Sequence, residues 1–167
     1  MKLLIIAVGD RVPEWVTEGC KEYAGRLRKP WVLTLKEVPA ERRGQNSDIF
    51  KLVRLEGNRL LAAVPNGWRI VAFDQRGSQH DTEMLAQNLS QWTDDAEKIA
   101  FLIGGPDGLS PDVLERANDV WSLSQLTLAH SMARLVIFEQ FYRAFSILHG
   151  MPYHRNASFF GKGGRAC

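Results

Sequence analysis

The chain has 167 residues, of which 45% are apolar and 24% charged, and its net charge at pH 7 is +2. Roughly 100 to 200 residues are typical of one domain, and this composition excludes a disordered or low-complexity protein. The longest apolar run, residues 3–8, is far shorter than the roughly 20 residues that cross a bilayer, so we predict no transmembrane helix, no signal peptide and a cytoplasmic protein.

Strand-like and helix-like segments alternate along the chain. Residues 3–8 are apolar and partly β-branched, which is typical of a buried parallel strand. We expect Pro13 to open the first helix and Ser47 to cap the second. The inner face of the second helix is predicted to be Ile49, Phe50, Val53, Leu60 and Leu61. The predicted elements are a strand 3–8, a helix 14–27, a strand 31–38, a helix from Ser47 to about residue 64, a strand 68–73, a helix from Asp81 or Thr82 to Trp92, a strand 98–103, a helix 112–117, a strand 120–123 and a helix 132–148.

This alternation predicts an α/β fold with a mostly parallel sheet covered by helices on both faces. Ligands of such sheets bind beyond the carboxyl ends of the strands, so the turns after residues 73, 103 and 123 are the expected places for a site. We expect residues 1–155 to form a single domain and residues 156–167 to be a flexible extension.

The last predicted helix is apolar on nearly all sides. Glu139 and Arg143 interrupt it at a spacing of four residues, at which opposite charges pair on a helix surface. A helix that is apolar all round is buried on more than one side. We therefore predict a homodimer built partly on this helix.

Several chemistries are disfavoured by missing motifs. Cys20 and Cys167 are the two cysteines, which excludes a disulfide framework and a CxxC zinc site. The four histidines show no metal-ligand spacing, so no metal centre is expected. The chain lacks GxxxxGK[ST], GxGxxG and GxSxG patterns, which disfavours an ATPase, a dinucleotide oxidoreductase, a Rossmann-like methyltransferase and a serine hydrolase.

Two segments after predicted strands are candidates for ligand binding. Gly104, Gly105 and Gly108 in the GGPDG turn would let a ligand approach the backbone closely, although a tight structural turn would use the same residues. Residues 121–130, WSLSQLTLAH, have no steady period, so they either pack into a loop-rich core or wrap a ligand with peptide groups. We expect the two segments to enclose one slot.

Charge is distributed unevenly along the chain. Residues 21–43 and 134–167 together contain 12 basic and 4 acidic residues, whereas the rest contains 9 basic and 15 acidic residues. This asymmetry indicates a polyanion-binding face on a mildly acidic body. Ordinary solvated helix faces remain the alternative, because the charges are scattered.

The motifs gain specificity when they are taken together. LIGGPDGLSP, WSLSQLTLAH, FEQFYRA and PYHR, with the opening KLLIIAVG and the segment EVPAERR, resemble the ribosomal RNA large subunit methyltransferase H family over residues 1–155. That family belongs to the SPOUT methyltransferases, so the resemblance implies a C-terminal trefoil knot and a homodimer. It further implies S-adenosylmethionine as methyl donor and N3 of a pseudouridine in 23S rRNA of the assembled ribosome as acceptor.

The resemblance also implies which residues bind the donor. They are Phe73, Gly104, Gly105, Leu123, Ser124, Gln125, Leu126, Thr127 and Leu128. The chain departs from the family pattern at Phe73, where leucine is common. Ala129 and Ser131 replace the usual prolines on either side of His130, which loosens the turn into the last helix.

Methyl transfer to an imide nitrogen needs precise alignment and the loss of a proton. We expect His154 to act as the base because imidazole titrates near neutrality, with Tyr153 and Arg155 holding the nucleobase or a phosphate. A satisfied or solvent-facing terminal histidine is the alternative reading.

Arginines are the expected RNA contacts because a guanidinium binds phosphate in a bidentate manner. The candidates are Arg134, Arg143 and Arg155, with His130 as a further contact, although Glu139 is placed to occupy Arg143. Two other functions remain open, a SPOUT methyltransferase acting on tRNA and a non-catalytic ribosome-binding protein. Binding of S-adenosylmethionine distinguishes an enzyme from a pure binding module.

Overall fold

The computed structural model of this chain describes residues 1–9 and 11–155, so the extension predicted at 156–167 lies outside the described residues. Strands and helices alternate along that part of the chain, as predicted. They are β1 (Lys2–Val8), α1 (Glu14–Arg26), β2 (Val32–Val38), α2 (Ile49–Ala63), β3 (Arg69–Gln79), α3 (Thr82–Asp94), β4 (Lys98–Ile103), α4 (Pro111–Arg116), β5 (Asp119–Ser122) and α5 (His130–Leu148).

The strands form one sheet in the order β2-β1-β4-β3-β5, and every neighbouring pair is parallel. Successive residues of a strand face opposite sides of the sheet, and both sides of β1 are buried. Leu3, Ile5 and Ala7 pack with residues of α1, α3 and α5, whereas Ile6 and Val8 pack with residues of α2 and α4. The sheet is therefore covered on both faces, and the predicted α/β class is confirmed.

The amino-terminal cap of α2 is Asp48 and not Ser47. The Asp48 carboxylate accepts a hydrogen bond from the backbone N–H of Lys51 at 3.2 Å. The hydroxyl of Ser47 instead accepts from the backbone N–H of Gly44 at 2.7 Å, which closes the preceding turn. Ser47 and Asp48 are both suitable capping residues. The hydroxyl of Ser47 is used by the preceding turn, so Asp48 caps the helix.

The inner face of α2 also differs from the prediction. Val53 and Leu60 are buried, but Ile49 and Phe50 in the first turn are 41% and 62% exposed. The buried stripe is completed by Glu56 and Gly57. These two residues lie at helical spacing from Val53 and Leu60. The prediction missed them because it considered only apolar side chains.

The apolar surface of α5 is largely used within the chain. This helix packs against both α1 and α3, and Phe141 contacts Phe101 of the sheet with ring centroids 4.7 Å apart. Met132 and Leu148 remain about two-fifths exposed. The apolar character of α5 therefore has a cause within one chain, and by itself it no longer requires a second subunit.

The strand β3 extends six residues beyond its predicted end at Phe73. Its pairing with β5 shifts register between Phe73 and Ser78, so that both residues lie opposite Trp121. Such an irregularity bends the strand out of the sheet. Residues 74–76, which lie between these two pairings, have no partner in β5.

Candidate functional site

A cavity of about 750 Å³ opens beside the middle of β3 and at the carboxyl ends of β4 and β5. This volume lies within the range of roughly 300 to 1,000 Å³ that is usual for small-molecule sites. Its walls are formed by residues 73–76, by residues 103–108 and by most of residues 122–130, with Ala133 of α5. The glycine turn and the hydroxyl-rich segment therefore enclose one space, as predicted.

The glycine turn brings its backbone to the cavity wall. A side chain at Gly104 would collide with the carbonyl of Gly108, so the fold excludes one there. Gly105 and Gly108 form a β-bridge in which the Gly108 N–H donates to the Gly105 carbonyl at 3.0 Å. Gly108 has φ +82°, a left-handed conformation that favours glycine. The wall between Ile103 and Leu109 is thus largely made of peptide groups.

Hydroxyl groups of the second segment hold its irregular backbone in place. The Ser122 hydroxyl donates to the carbonyl of Ser124 at 3.0 Å, and the Ser124 hydroxyl accepts from the N–H of Leu126 at 2.9 Å. The side-chain amide of Gln75 donates to the hydroxyl of Thr127 at 2.9 Å. This bond ties the segment to the bent end of β3 and closes one side of the cavity.

Most of the residues expected to bind a donor line this cavity. They are Phe73, Gly104, Gly105, Leu123, Ser124, Leu126, Thr127 and Leu128. Gln125 is exposed and is not among the lining residues. The Phe73 ring stacks on Phe101 at 5.9 Å, so its side chain is also part of the core.

The cavity wall contains charged residues that the sequence did not single out. Arg76 donates from its backbone N–H and its Nε to one oxygen of Asp74, at 2.9 and 2.8 Å. The adjacent guanidinium lowers the pKa of Asp74 below its ordinary value. Asp107 contributes a second carboxylate from the glycine turn. Asp74 directly follows a predicted strand and Asp107 lies in the turn after another, and those positions are the signal that would have found them.

His130 lies at the wall of the cavity, at the first residue of α5. Burial lowers its pKa below the ordinary value, and the nearby positive charges of Arg134 and Arg43 lower it further. The imidazole is therefore biased toward its neutral form. A neutral ring at this place is suited to hydrogen bonding and not to attracting phosphate.

Arg134 does not lie where an RNA contact was expected. Its side chain is 1% exposed and forms an ion pair with Glu37 at 2.5 Å. It also donates to the backbone carbonyls of Val8, at 2.8 Å, and of Gly9. The guanidinium thus fastens α5 to the ends of β1 and β2, and this structural use argues against the predicted phosphate contact.

The predicted catalytic residues Tyr153, His154 and Arg155 do not line the cavity of their own chain. The Tyr153 hydroxyl donates to Glu139 at 3.1 Å. Arg143 donates to the same carboxylate at 2.9 Å and lies over the Tyr153 ring at 4.8 Å from its centroid. The predicted pair of Glu139 and Arg143 is therefore confirmed. It fixes Tyr153, and with it residues 151–155 (the tail), against the middle of α5.

Residues 1–9 and 11–155 contain no group of three or more His, Cys, Asp or Glu side chains that could hold a metal ion. Within the same residues, no helix is both long and apolar enough to cross a membrane.

Sequence comparison gives a consistent family match. The family model described as a predicted SPOUT methyltransferase matches residues 1–154. Ribosomal RNA large subunit methyltransferase H from Marinomonas sp. (strain MWYL1) is 46% identical over 155 residues, which cover 93% of this chain and 100% of that protein. The protein of the same name from Pseudomonas putida (strain GB-1) is 47% identical over the same shares of each chain.

Solved structures share the fold at low identity. A probable methylase family protein from Haemophilus influenzae Rd KW20 has a TM-score of 0.56 at 12% identity, covering 92% of this chain and 70% of that chain. A putative methylase family protein from Neisseria gonorrhoeae has a TM-score of 0.52 at 15% identity, covering 84% and 81%. These likenesses concern the fold alone.

Proposed function

Because the chain belongs to the ribosomal RNA large subunit methyltransferase H family of SPOUT methyltransferases, we propose that it methylates N3 of a pseudouridine in 23S rRNA of the assembled ribosome. The observation that carries this proposal is identity of 46% over the full length of a relative with that name, in a chain whose two characteristic segments enclose one cavity. Residues 1–155 are the catalytic domain in this proposal, and the cytoplasm is the place of action.

S-adenosylmethionine is the proposed methyl donor, and its sulfonium supplies the methyl group when it is bound. The cavity suits such a molecule because its volume is adequate and glycines expose the backbone at Gly104 and Gly105. Leu123 and Leu128 add apolar surface, and Thr127 adds a hydroxyl. Donor recognition in this proposal is thus mainly by peptide groups and apolar contacts, as is usual for small-molecule sites.

The acceptor nitrogen has to lose its proton, and we assign the removal of this proton to an imidazole nitrogen of His154. Tyr153 and Arg155 orient the nucleobase or its phosphate. General base catalysis contributes about 100-fold to 10,000-fold to a rate, so loss of His154 reduces methyl transfer by a factor of this size.

His154 does not line the cavity of its own chain. The neighbouring Tyr153 hydroxyl is bound to Glu139, six residues along α5 from Ala133, which lines the cavity. At 1.5 Å per residue, that separation is about 9 Å along the helix. We therefore propose a homodimer in which the tail of each copy completes the cavity of the other.

Of the three arginines predicted to contact RNA phosphate, Arg155 is the one that we retain. Its side chain is exposed, whereas Arg134 is buried and Arg143 is held by Glu139. His130 is kept as a contact with the acceptor at the cavity wall.

Arg155→Ala is expected to weaken ribosome binding and to reduce the slope of affinity against salt concentration by about 1, measured by filter binding.

The test of the proposed function uses labelled S-adenosylmethionine with vacant ribosomes, naked 23S rRNA and tRNA as separate acceptors. We expect label on the ribosomes at N3 of a single pseudouridine, mapped by nuclease digestion and mass spectrometry. Transfer to tRNA alone would support the second SPOUT reading. Failure to bind the donor, together with retained affinity for ribosomes, would support the non-catalytic reading.

A further inference from the structure

A three-residue ion-pair network runs from the interior behind the glycine turn to Asp107 at the cavity wall. Arg43 belongs to the segment between β2 and α2. Its two terminal nitrogens bind the Glu56 carboxylate at 2.5 and 3.1 Å, and its Nε donates to Asp107 at 3.0 Å. One guanidinium thus joins helix α2 to the turn that forms a cavity wall.

The anchor of this network is a buried carboxylate. The Glu56 side chain is 1% exposed, and a charge so far from water is stable only when it is paired and hydrogen bonded. Arg43 supplies the opposite charge, and the backbone N–H of Glu41 donates to Glu56 at 2.8 Å. Arg43 also donates to the carbonyl of Glu41 at 2.8 Å. The guanidinium is therefore fixed in orientation before it reaches Asp107.

The network touches the turn at a second point. A Cβ added to Gly105 would lie 3.1 Å from a Glu56 carboxylate oxygen and 3.6 Å from a terminal nitrogen of Arg43. Gly105 therefore lies directly on the ion pair, while Gly105 and Asp107 themselves line the cavity. Neither Arg43 nor Glu56 lines the cavity, so their effect on the shape of the cavity wall passes through the turn.

We propose that Arg43 is a positioning residue for the methyl donor, because it ties Asp107 to the buried Glu56 and so holds the glycine turn in its binding shape. This inference rests on the proposed function, which assigns the donor to this cavity. Arg43 acts on donor affinity, and it leaves methyl transfer at saturating donor unchanged because it contacts neither the proposed base nor the acceptor site.

The test compares Arg43→Lys with the wild-type protein. Lysine keeps the charge but lacks the planar fork that binds two carboxylates at once. A lost charge-assisted hydrogen bond corresponds to about a tenfold change in affinity, so we expect the dissociation constant and the KM for S-adenosylmethionine to rise about tenfold. The kcat at saturating donor stays unchanged. Without donor, the Gly108 amide exchanges hydrogen faster, because its bond to Gly105 depends on the shape of the turn.

A matched control and a double variant isolate the path through the turn. Arg54 of α2 pairs with Asp112 at 3.4 Å on the surface, away from the cavity, so Arg54→Lys should bind the donor normally. Asp107→Asn should weaken donor binding as Arg43→Lys does. The double variant should be no weaker than the weaker single variant, because both substitutions break the same link.

Three results would overturn the proposal. They are wild-type donor affinity in Arg43→Lys, a lowered kcat with unchanged KM, or fully additive effects in the double variant. A wild-type protein that binds no donor would remove the proposed function and this inference with it. Normal wild-type binding with an unaffected Arg43→Lys variant would remove this inference alone.

Discussion

Gly104 lies where β4 ends and the cavity wall begins. Because a Cβ there would collide with the Gly108 carbonyl, Gly104→Ala must displace the turn. Displacements of this kind cost about 1 to 3 kcal/mol, so we expect donor affinity to fall tenfold or more. Calorimetric titration with S-adenosylmethionine measures the effect. Gly25→Ala, which meets nothing within 4 Å, should bind normally. Equal affinities in the two variants would contradict the role given to the turn.

Cys20 is 4% exposed, and burial raises the pKa of its thiol from 9.0 to about 11. The unfolded chain then loses this proton at lower pH than the folded chain does. The stabilising contribution is complete below about pH 9 and is lost as the pH rises toward about 11. We expect Cys20→Ala to show a smaller fall in free energy of unfolding across this interval, measured by urea titration. Parallel pH profiles in the two proteins would contradict this expectation.

The sequence identified most of the cavity-lining positions because the motifs follow strand ends. It did not identify Glu56 or Arg43, since their pairing with Asp107 joins segments far apart in the chain. Arg134 was expected to contact RNA because a guanidinium binds phosphate in a bidentate manner. Its burial depends on acceptors supplied by β1 and β2, which no local pattern around residue 134 reveals.

At the scale of elements, Gly57 lets α2 approach α4. A Cβ at this position would collide with the Ser110 hydroxyl and lie 3.1 Å from Val113. We expect Gly57→Ala to lower the free energy of unfolding by about 1 to 3 kcal/mol despite the better helix propensity of alanine. Gly25→Ala in α1 gains propensity without a clash and should raise stability by up to about 1 kcal/mol. Thermal unfolding of both variants measures the two changes in stability, and changes of the same sign would contradict this expectation.

Most element boundaries follow from hydrophobic period, as in β4, which is predicted at its observed bounds. The extension of β3 beyond Phe73 could not be predicted from hydrophobic period, because the residues DQRGSQ have no apolar alternation. Those residues become strand through pairing of Ser78 and Gln79 with β5. Local patterns thus define buried strands, whereas polar strand ends depend on their neighbours.

At the scale of the whole molecule, the proposed homodimer makes a prediction about mixed copies. His154→Ala loses most activity alone, and so does Gly104→Ala at donor concentrations below its raised dissociation constant, since each dimer then lacks a base or a filled donor site. In a 1:1 mixture with random exchange, about half of the dimers are heterodimers. Each heterodimer has one cavity that combines an intact Gly104 with His154 of the other copy, so activity should return to about a quarter of wild type. Methylation assays after co-refolding measure this recovery. Absence of recovery, with heterodimers verified by mass spectrometry, would contradict a tail acting between copies.

The α/β class could be predicted from alternating periods, but the order of the strands could not. The trefoil knot came from the resemblance alone, whereas the homodimer was predicted both from the resemblance and from the apolar last helix. Threading of a chain through its own loops is rare and leaves no mark in hydrophobic period, so the knot stays a prediction. Helix α5 illustrates the same limit, because its apolar sides are satisfied by α1 and α3 of the same chain.

The bond network of Arg134 has a consequence for biosynthesis. The residue that fastens β1 and β2 comes from the last helix, and the segment that closes the cavity immediately precedes that helix. During synthesis, β1 is therefore made long before Arg134, the residue that secures it. Ligand capture can begin only after residues 122–130 have been made, so the earlier strands fold without a bound ligand to guide them.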